Sequence, residues 1–363
     1  VPPKKTRPTT RVIFLYFLRL GSTAFGGAAP QLAAMERDWV RESDWATPED
    51  FARGITLSTL CPGPVGSQLA AYLGRLRGGA RGAAAALTAF LLPSFVMVVA
   101  LAAAYGRWGG RPGPRAFAAG AGCAVIVVVL KSASKLTKTM LGKRPSSWMI
   151  AAAAGLITAL TPSGALLSVV LAAAACAFVD SRPSRRGVIG AAPAAWLALA
   201  FMGVKAGMLT FGTGLAILPV IRAHAVGHGW VTDAQFVDAV SAGLITPGPI
   251  VMAAAFVGYL HAGMLGAFAA TAGLFLPVLA LTLLLAPLLD RWSGDARVKG
   301  FSRGAMAAAM GSIAAAVAAM ALATVTTPAR AALAAASAAV LFLTKTPDPL
   351  VILAAGAVGM AFF

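Results

Sequence analysis

Charge is scarce in this 363-residue chain: Asp, Glu, Lys and Arg make up 12% of it, against 59% hydrophobic residues. A water-soluble domain carries about 25% charged residues, so this sequence cannot cover a water-facing surface of its size. Acidic residues are the scarcest, 12 against 30 Lys and Arg, which leaves a formal charge of +18. The basic residues fall between apolar runs and not in one block, which suits short loops against anionic lipid and argues against a nucleic-acid face. Cysteine and histidine, three of each, show no CxxC pair and no ligand spacing, so no disulfide framework, metal site or cofactor motif is legible. Paired intramembrane acids, a Ser–His arrangement and a Gly-x-x-x-x-Gly-Lys loop are all missing, which removes support for an enzyme or an ATPase. Alternating ten-residue strands are absent as well, which excludes a β-barrel.

What is present is a succession of long apolar runs rich in Ala, Leu and Gly, with a mean hydropathy of +0.81. They fall near 12–34, 51–74, 82–105, 116–136, 147–160 and 164–179, then near 191–221, 235–260, 264–289, 304–325, 329–344 and 349–363. A helix needs about 20 residues to cross the hydrocarbon core, so the fold class is an all-α, multi-pass membrane protein of about 10–12 spans. The first run lacks a small-residue cleavage site and reads as a retained span.

The second series repeats the first. Phe25-Gly26 answers to Phe211-Gly212, Trp45 and Phe51 to Trp230 and Phe236, Pro62-Gly63-Pro64 to Pro247-Gly248-Pro249, and Gly82 and Pro93 to Gly266 and Pro277, in order and at a nearly constant offset. The chain therefore divides into a first repeat over 1–181, a basic linker over 182–190 and a second repeat over 191–363. Repeats of this kind build secondary transporters, with the substrate site at the repeat interface near the bilayer midplane. Basic loops at 75–81, 107–115, 131–144 and 291–303 do not all fit on one side of a simple alternating topology. Either the Pro-Gly-Pro segments are re-entrant or some charges break the positive-inside rule.

In each half a Pro-Gly-Pro interrupts an apolar run, removing backbone donors and breaking the helix. A break at membrane depth is tolerated where it is buried in protein or lines a wet cavity, and the helix restarts with proline at a favoured position. Its open end aims the amides of Val65, Gly66 and Ser67, and of Ile250, Val251 and Met252, at an anion. A packing kink without ligand is the competing reading for one motif; duplication at matched positions favours a site.

Arg19 and Lys205, also matched between halves, lie inside apolar runs, where a cation costs about 2.5–3.5 kcal/mol on insertion scales and normally faces a cavity or partner. Snorkelling to a headgroup layer is the alternative. Glycine-rich stretches follow each cation: Gly21, Gly26 and Gly27 in the first half, Gly207, Gly212 and Gly214 in the second. They suit close packing or local unwinding, with Ser22, Thr23, Thr210 and Thr213 as hydroxyl donors. Glu36, at the end of the first run, is the carboxylate best placed to carry a proton, although a solvated loop face is the commoner role for such a residue.

The segment Phe17-Leu18-Arg19-Leu20-Gly21-Ser22-Thr23-Ala24-Phe25-Gly26-Gly27, with Met35-Glu36, Trp45, Phe51, Cys61-Pro62-Gly63-Pro64 and Gln68-Leu69, resembles the signature of the chromate ion transporter family. Phe211-Gly212-Thr213-Gly214, Gly229-Trp230-Val231-Thr232, Thr246-Pro247-Gly248-Pro249-Ile250 and Phe256-Val257-Gly258-Tyr259 resemble its second domain. The resemblance implies a multi-pass protein of the bacterial cytoplasmic membrane that exports chromate by the proton-motive force and confers chromate resistance. Thr213 replaces the second glycine of the Phe-Gly-Gly triplet, and Val65 stands where Thr is common after the first Pro-Gly-Pro. The expected partners are the chromate anion, protons and the lipid bilayer. A general sulfate-like oxyanion carrier is the main alternative, with an anion channel or a lipid-phosphate enzyme behind it. The sequence leaves the oligomeric state open, a homodimer included.

Overall fold

A computed structural model describes residues 8–25, 27–142, 145–160, 195–210, 214–288 and 296–363. The expected linker over 182–190, the apolar run near 164–179, Gly26 and Phe211-Gly212-Thr213 lie outside the described residues. Among those described, every regular element is helical.

The first half begins with α1 (Thr10–Thr23), α2 (Ala28–Glu36) and a π-helical turn (Arg37–Glu42). These do not run on in one direction. Tyr16 donates to Asp38 at 3.0 Å and its ring meets those of Trp39 and Trp45 edge-on, so the chain has doubled back at residues 24–27. Gly27, at φ 82°, takes a backbone conformation that side chains other than glycine rarely adopt.

Next come α3 (Pro48–Leu60), opened by a capping box between Thr47 and Asp50, and α4 (Val65–Trp108). Gly54 packs on Leu69 and Tyr72 across the Pro-Gly-Pro, so α3 and the start of α4 are also antiparallel. α4 is itself folded at Gly79 (φ 59°). A Cβ on Gly74 would stand 2.3 Å from the Gly82 carbonyl oxygen and 2.6 Å from the Ala86 Cβ. In a continuous helix Gly74 and Gly82 would lie about 12 Å apart along the axis, so residues 65–78 and 80–108 face each other as two helices.

The second half repeats the plan. α7 (Ala195–Leu209) and α8 (Leu218–Ala225) fold together, with Lys205 Nζ 3.3 Å from His224 Nε2. α9 (Asp233–Ile245) opens with a matching capping box between Thr232 and Gln235, and α10 (Ala253–Leu285) doubles back at Gly263, where Gly258 and Gly266 touch as Gly74 and Gly82 do. Around these pack α5 (Pro112–Leu141), α6 (Pro145–Leu160), α11 (Ala296–Thr324), α12 (Pro328–Leu343) and α13 (Asp348–Phe362). The outer helices are exchanged: α5 of the first half lies along α13 and α12 of the second, while α11 lies along α6.

The long second arm of α4 fixes the relative orientation of the halves. At its beginning Gly82 sits by Ile13 and Arg77 donates to the Trp45 carbonyl, so the first-half hairpins open there. At its middle Ser94 touches Gly248, the tip of the second-half hairpin. At its end Tyr105 donates to Asp238 at 2.8 Å and meets the Phe256 ring, so the second-half hairpins open at the opposite end. The repeats are inverted, and both Pro-Gly-Pro segments are tips of re-entrant hairpins. The basic stretches at 75–81 and 107–115 still lie at opposite ends of this arm, so the hairpins do not gather the basic loops on one side.

Four helices among the described residues are long and apolar enough to cross a membrane, within 65–108, 112–138, 250–288 and 300–324, and five shorter apolar helices accompany them. Val96, Phe268, Leu276 and Leu284 are exposed, as expected where lipid is the solvent. The protein is a multi-pass membrane protein.

Because the helix faces at Gly74 and Gly258 meet backbone, Gly74→Ala and Gly258→Ala should each destabilise the protein by about 1–3 kcal/mol. Gly106→Ala, with no atom near its side, should have no effect. Thermal unfolding in detergent checks this; unchanged midpoints for the first two would show that the hairpin arms do not touch.

Candidate functional site

Both broken helices end on one another. The Gly63 amide (φ 137°) donates to the Thr210 carbonyl at 2.5 Å, and the Gly248 amide (φ 102°) donates to the Ala24 carbonyl at 3.1 Å. The two bonds correspond under the internal repeat. They tie the tip of each Pro-Gly-Pro hairpin to the end of the opposite half's first helix. Any side chain at Gly63 or Gly248 would be strained by the backbone conformation and would strike Gln68 or Ser94.

Beside this junction lies a cavity of about 360 Å³. Pro64, Val65, Gly66 and Ser67 line it from the first half, and Gly248, Pro249 and Ile250 from the second, with Gly27, Gly214, Gly243 and Thr246 around them. The first restart is α-helical from Val65, so its opening amides have no intrahelical partner. The second begins as a 3-10 turn, Ile250–Met252, in which the Met252 amide donates to the Pro249 carbonyl at 3.1 Å. Met252 is therefore spent as a donor, which corrects the expectation of three open amides there; Ile250 lines the cavity and Val251 is buried behind it.

Two wall residues carry buried donors with no partner among the described residues: Gln31 Nε2 and Ser67 Oγ, in residues 2% and 1% exposed. A buried polar group left unpaired costs about 1–3 kcal/mol, which the oxygens of a bound anion would offset. The cavity's cations are Lys131 and Lys135 of α5, with Asp348 of α13 opposite, 3.0 Å from Lys131. Donors, open amides and the Lys131 ammonium thus converge on one space, with the exposed Lys135 on its wall, which suits a compact multivalent oxyanion.

The structure does not bring the sequence's two intramembrane cations to this cavity. Arg19 is exposed, because α1 turns Ile13, Phe17, Leu20 and Gly21 toward the core. Lys205 is half-buried between His224 and the Phe201 ring, 4.3 Å from the ring centre. The hydroxyls of Ser22, Thr23 and Thr210 bond back to the carbonyls of Leu18, Arg19 and Ala206 in their own helices, so they offer the cavity no donor. Pro62 and Pro247 hold the tips without lining the space; the Pro62 carbonyl accepts from Gln68 Nε2 at 2.7 Å. Glu36 pairs with Arg41 at 2.7 Å, away from the cavity. Of the remaining glycines, Gly21 and Gly207 are packing contacts against the Phe90 and Leu274 carbonyls.

The sequence profile of the chromate transporter family matches residues 11–179 and again 197–360. The chain belongs to the chromate transporter family. A chromate transport protein of Cupriavidus metallidurans is 37% identical, over 98% of this chain and 94% of its own. A probable chromate transport protein of Synechococcus elongatus is 34% identical over 96% and 94%. An uncharacterized transporter of Methanocaldococcus jannaschii is 26% identical over 79% and 78%. No solved structure matches. Within this family member, Lys131, Lys135, Asp348 and Gln31 are among the wall residues that sequence reading missed. The lysines sit in a stretch that reads as a basic loop, and Gln31 carries no motif of its own.

If Gln31 and Ser67 are unpartnered in the empty protein, Ser67→Ala and Gln31→Met should leave it at least as stable, with a gain of about 1 kcal/mol where the orphaned group is removed. A fall in the anion-free thermal midpoint would show that these groups have protein partners.

Proposed function

We propose that this protein moves chromate outward across the bacterial cytoplasmic membrane, driven by the proton-motive force through its electrical component, and so confers chromate resistance. The observation that carries the reading is the convergence of Lys131, Lys135 and the unpartnered donors of Gln31 and Ser67 on the junction of the two broken helices. Chromate is a compact tetrahedral dianion near neutral pH. Donors arriving from several elements fit it better than a single bidentate clamp would. The membrane relatives named for chromate transport support the choice of anion.

Inverted repeats support transport by alternating access, with the site held between them. Export needs no chemistry from the protein: negative charge leaving a negative-inside cell goes downhill by about 2.3 kcal/mol per charge per 100 mV. On this reading Lys131 and Lys135 supply the attracting field, while Arg19 and Lys205 stay outside the translocation path.

The test is saturable chromate flux into everted vesicles under an imposed membrane potential, with and without excess sulfate. Lys131→Met should raise the half-saturating chromate concentration at least tenfold, and Arg19→Met should change it less than twofold. The reverse ranking would return the site to the outer cations. Abolition of flux by sulfate would make the protein a general oxyanion carrier, and absence of flux would refute transport of chromate.

A further inference from the structure

At the mouth of the second-half hairpins a carboxylate stands without a cation. A vestibule of about 960 Å³ lies there, lined by Tyr105, Arg115, Trp230, Asp238, Thr324 and Arg330 among others. Asp238 is partly buried in the second turn of α9, outside the four helices long enough to span a membrane. The Tyr105 hydroxyl donates to it at 2.8 Å, and among the described residues no Lys, Arg or His pairs with it. This bond joins the second arm of α4, in the first half, to α9, in the second.

Burial disfavours the charged form and pushes the Asp238 carboxyl up to about 6, while the Tyr105 bond, which favours that form, pulls the other way. Asp238 therefore titrates close to neutral pH, where a carboxyl of the ordinary value, about 4, is fully ionised. The Tyr16–Asp38 bond at the opposite mouth is the contrast: Arg37 Nε lies 2.8 Å from Asp38 and compensates its charge, and all three residues belong to the first half. Nor is the carboxylate a fixture of the hairpin. The repeat that sets Phe236 against Phe51 sets Asp238 against Arg53, which pairs with Glu49. The other charged or titratable groups around it are engaged elsewhere or exposed. Arg107 of α4 and Arg115 of α5 are exposed, and Arg330 of α12 is bonded to the Thr324 carbonyl and the Thr326 hydroxyl. Arg222 of α8 holds Asp233, and His261 of α10 stacks on Trp230. Beyond Arg303 in α11 and Asp348 in α13 there is no charge.

We propose that Asp238 is a proton-binding site at this mouth, and that its protonation loosens the tie between the two halves. The proton comes from hydronium in the vestibule, leaving water, and adds to a carboxylate oxygen; Tyr105 keeps its own proton and no covalent bond breaks in the protein. The phenol is then bonded to a neutral acceptor, and such a bond is weaker than one to a carboxylate. The second arm of α4 and α9 are held less firmly at the vestibule as a result. A pH gradient thereby gains a point of action on the protein, beside the electrical drive on the anion.

Only the use of this site in transport rests on the chromate reading; its test needs no anion. Infrared difference spectra of the purified full-length protein in detergent, taken from about pH 8 to about pH 5, report the carbonyl band of a protonated carboxyl. In the wild type the band should rise with a midpoint of about 6. Asp238→Asn should lose it, Asp238→Glu should keep one, and Tyr105→Phe, which removes a donor to the charged form, should move the midpoint up by about half a unit or more. Loosening is read from Thr324→Cys, a buried position of the vestibule wall, reacting with a charged thiol reagent at one fixed pH, with labelling of the native cysteines subtracted. Adding Asp238→Asn, which imitates the neutral acid, should speed that reaction about tenfold. A band that persists in Asp238→Asn, or equal labelling with and without it, overturns the proposal. Should Asp238→Asn fail to fold, Tyr105→Phe decides: an unchanged midpoint refutes the proposal. If band and labelling behave as expected but no chromate flux is found, the transport reading alone fails.

Discussion

Backbone amides and carbonyls at membrane depth must find partners within the protein, and that requirement governs this molecule. Each half breaks its helices at the centre, and neither half satisfies the glycine amide of its own break. The Gly63 amide is taken by Thr210 of the second half, and the Gly248 amide by Ala24 of the first. The breaks are therefore stable only when the halves are assembled in inverted orientation. A glycine is required at each tip because the backbone there turns to positive φ while other residues press against it. The cavity is the space left beside this crossing, so the scaffold and the site arise from the same constraint.

The scaffold is nearly symmetric, but the chemistry is not. Lys131 and Lys135 come from α5, whose counterpart α11 carries no charge from Ser312 to Ala319. Asp348 comes from the last helix of the other half. Exchange of the outer helices between halves is what brings Lys131 and Asp348 within 3.0 Å although 217 residues separate them in sequence. One duplicated domain could supply the broken helices, but only the diverged pair supplies a cavity with two cations on one wall and one carboxylate facing them.

This history explains what the sequence disclosed. The repeat, the all-helical class, the Pro-Gly-Pro breaks and the small-residue contacts are local signals, and each half states them twice. Re-entrant hairpins were one of two readings of the loop charges; the hairpins form, folded at Gly79 and Gly263, single glycines that resemble many others, yet basic loops remain at both ends of the second arm of α4. The site cations were not legible, because their position depends on helix exchange, a property of the assembled fold. Arg19 and Lys205 drew attention by lying within apolar runs, yet position along a run says nothing of which face a residue occupies. The hydroxyls after them were reasonable donors by type, but a helical Ser or Thr has a nearer acceptor four residues back, and Ser22, Thr23 and Thr210 all take it.

The two halves share a plan but not a local conformation. The first restarts as an α-helix with its opening amides free, whereas the second restarts as a 3-10 turn that uses the Met252 amide internally. In a protein of inverted repeats, alternating access is largely rocking of one repeat against the other around a site held between them. The difference lies at the cavity wall itself, where the α-helical restart leaves open a donor position that the 3-10 restart uses internally. The reciprocal tip bonds, made by glycine amides just outside the restarting turns, join the two repeats directly beside that difference, so the asymmetry sits where the halves are held together.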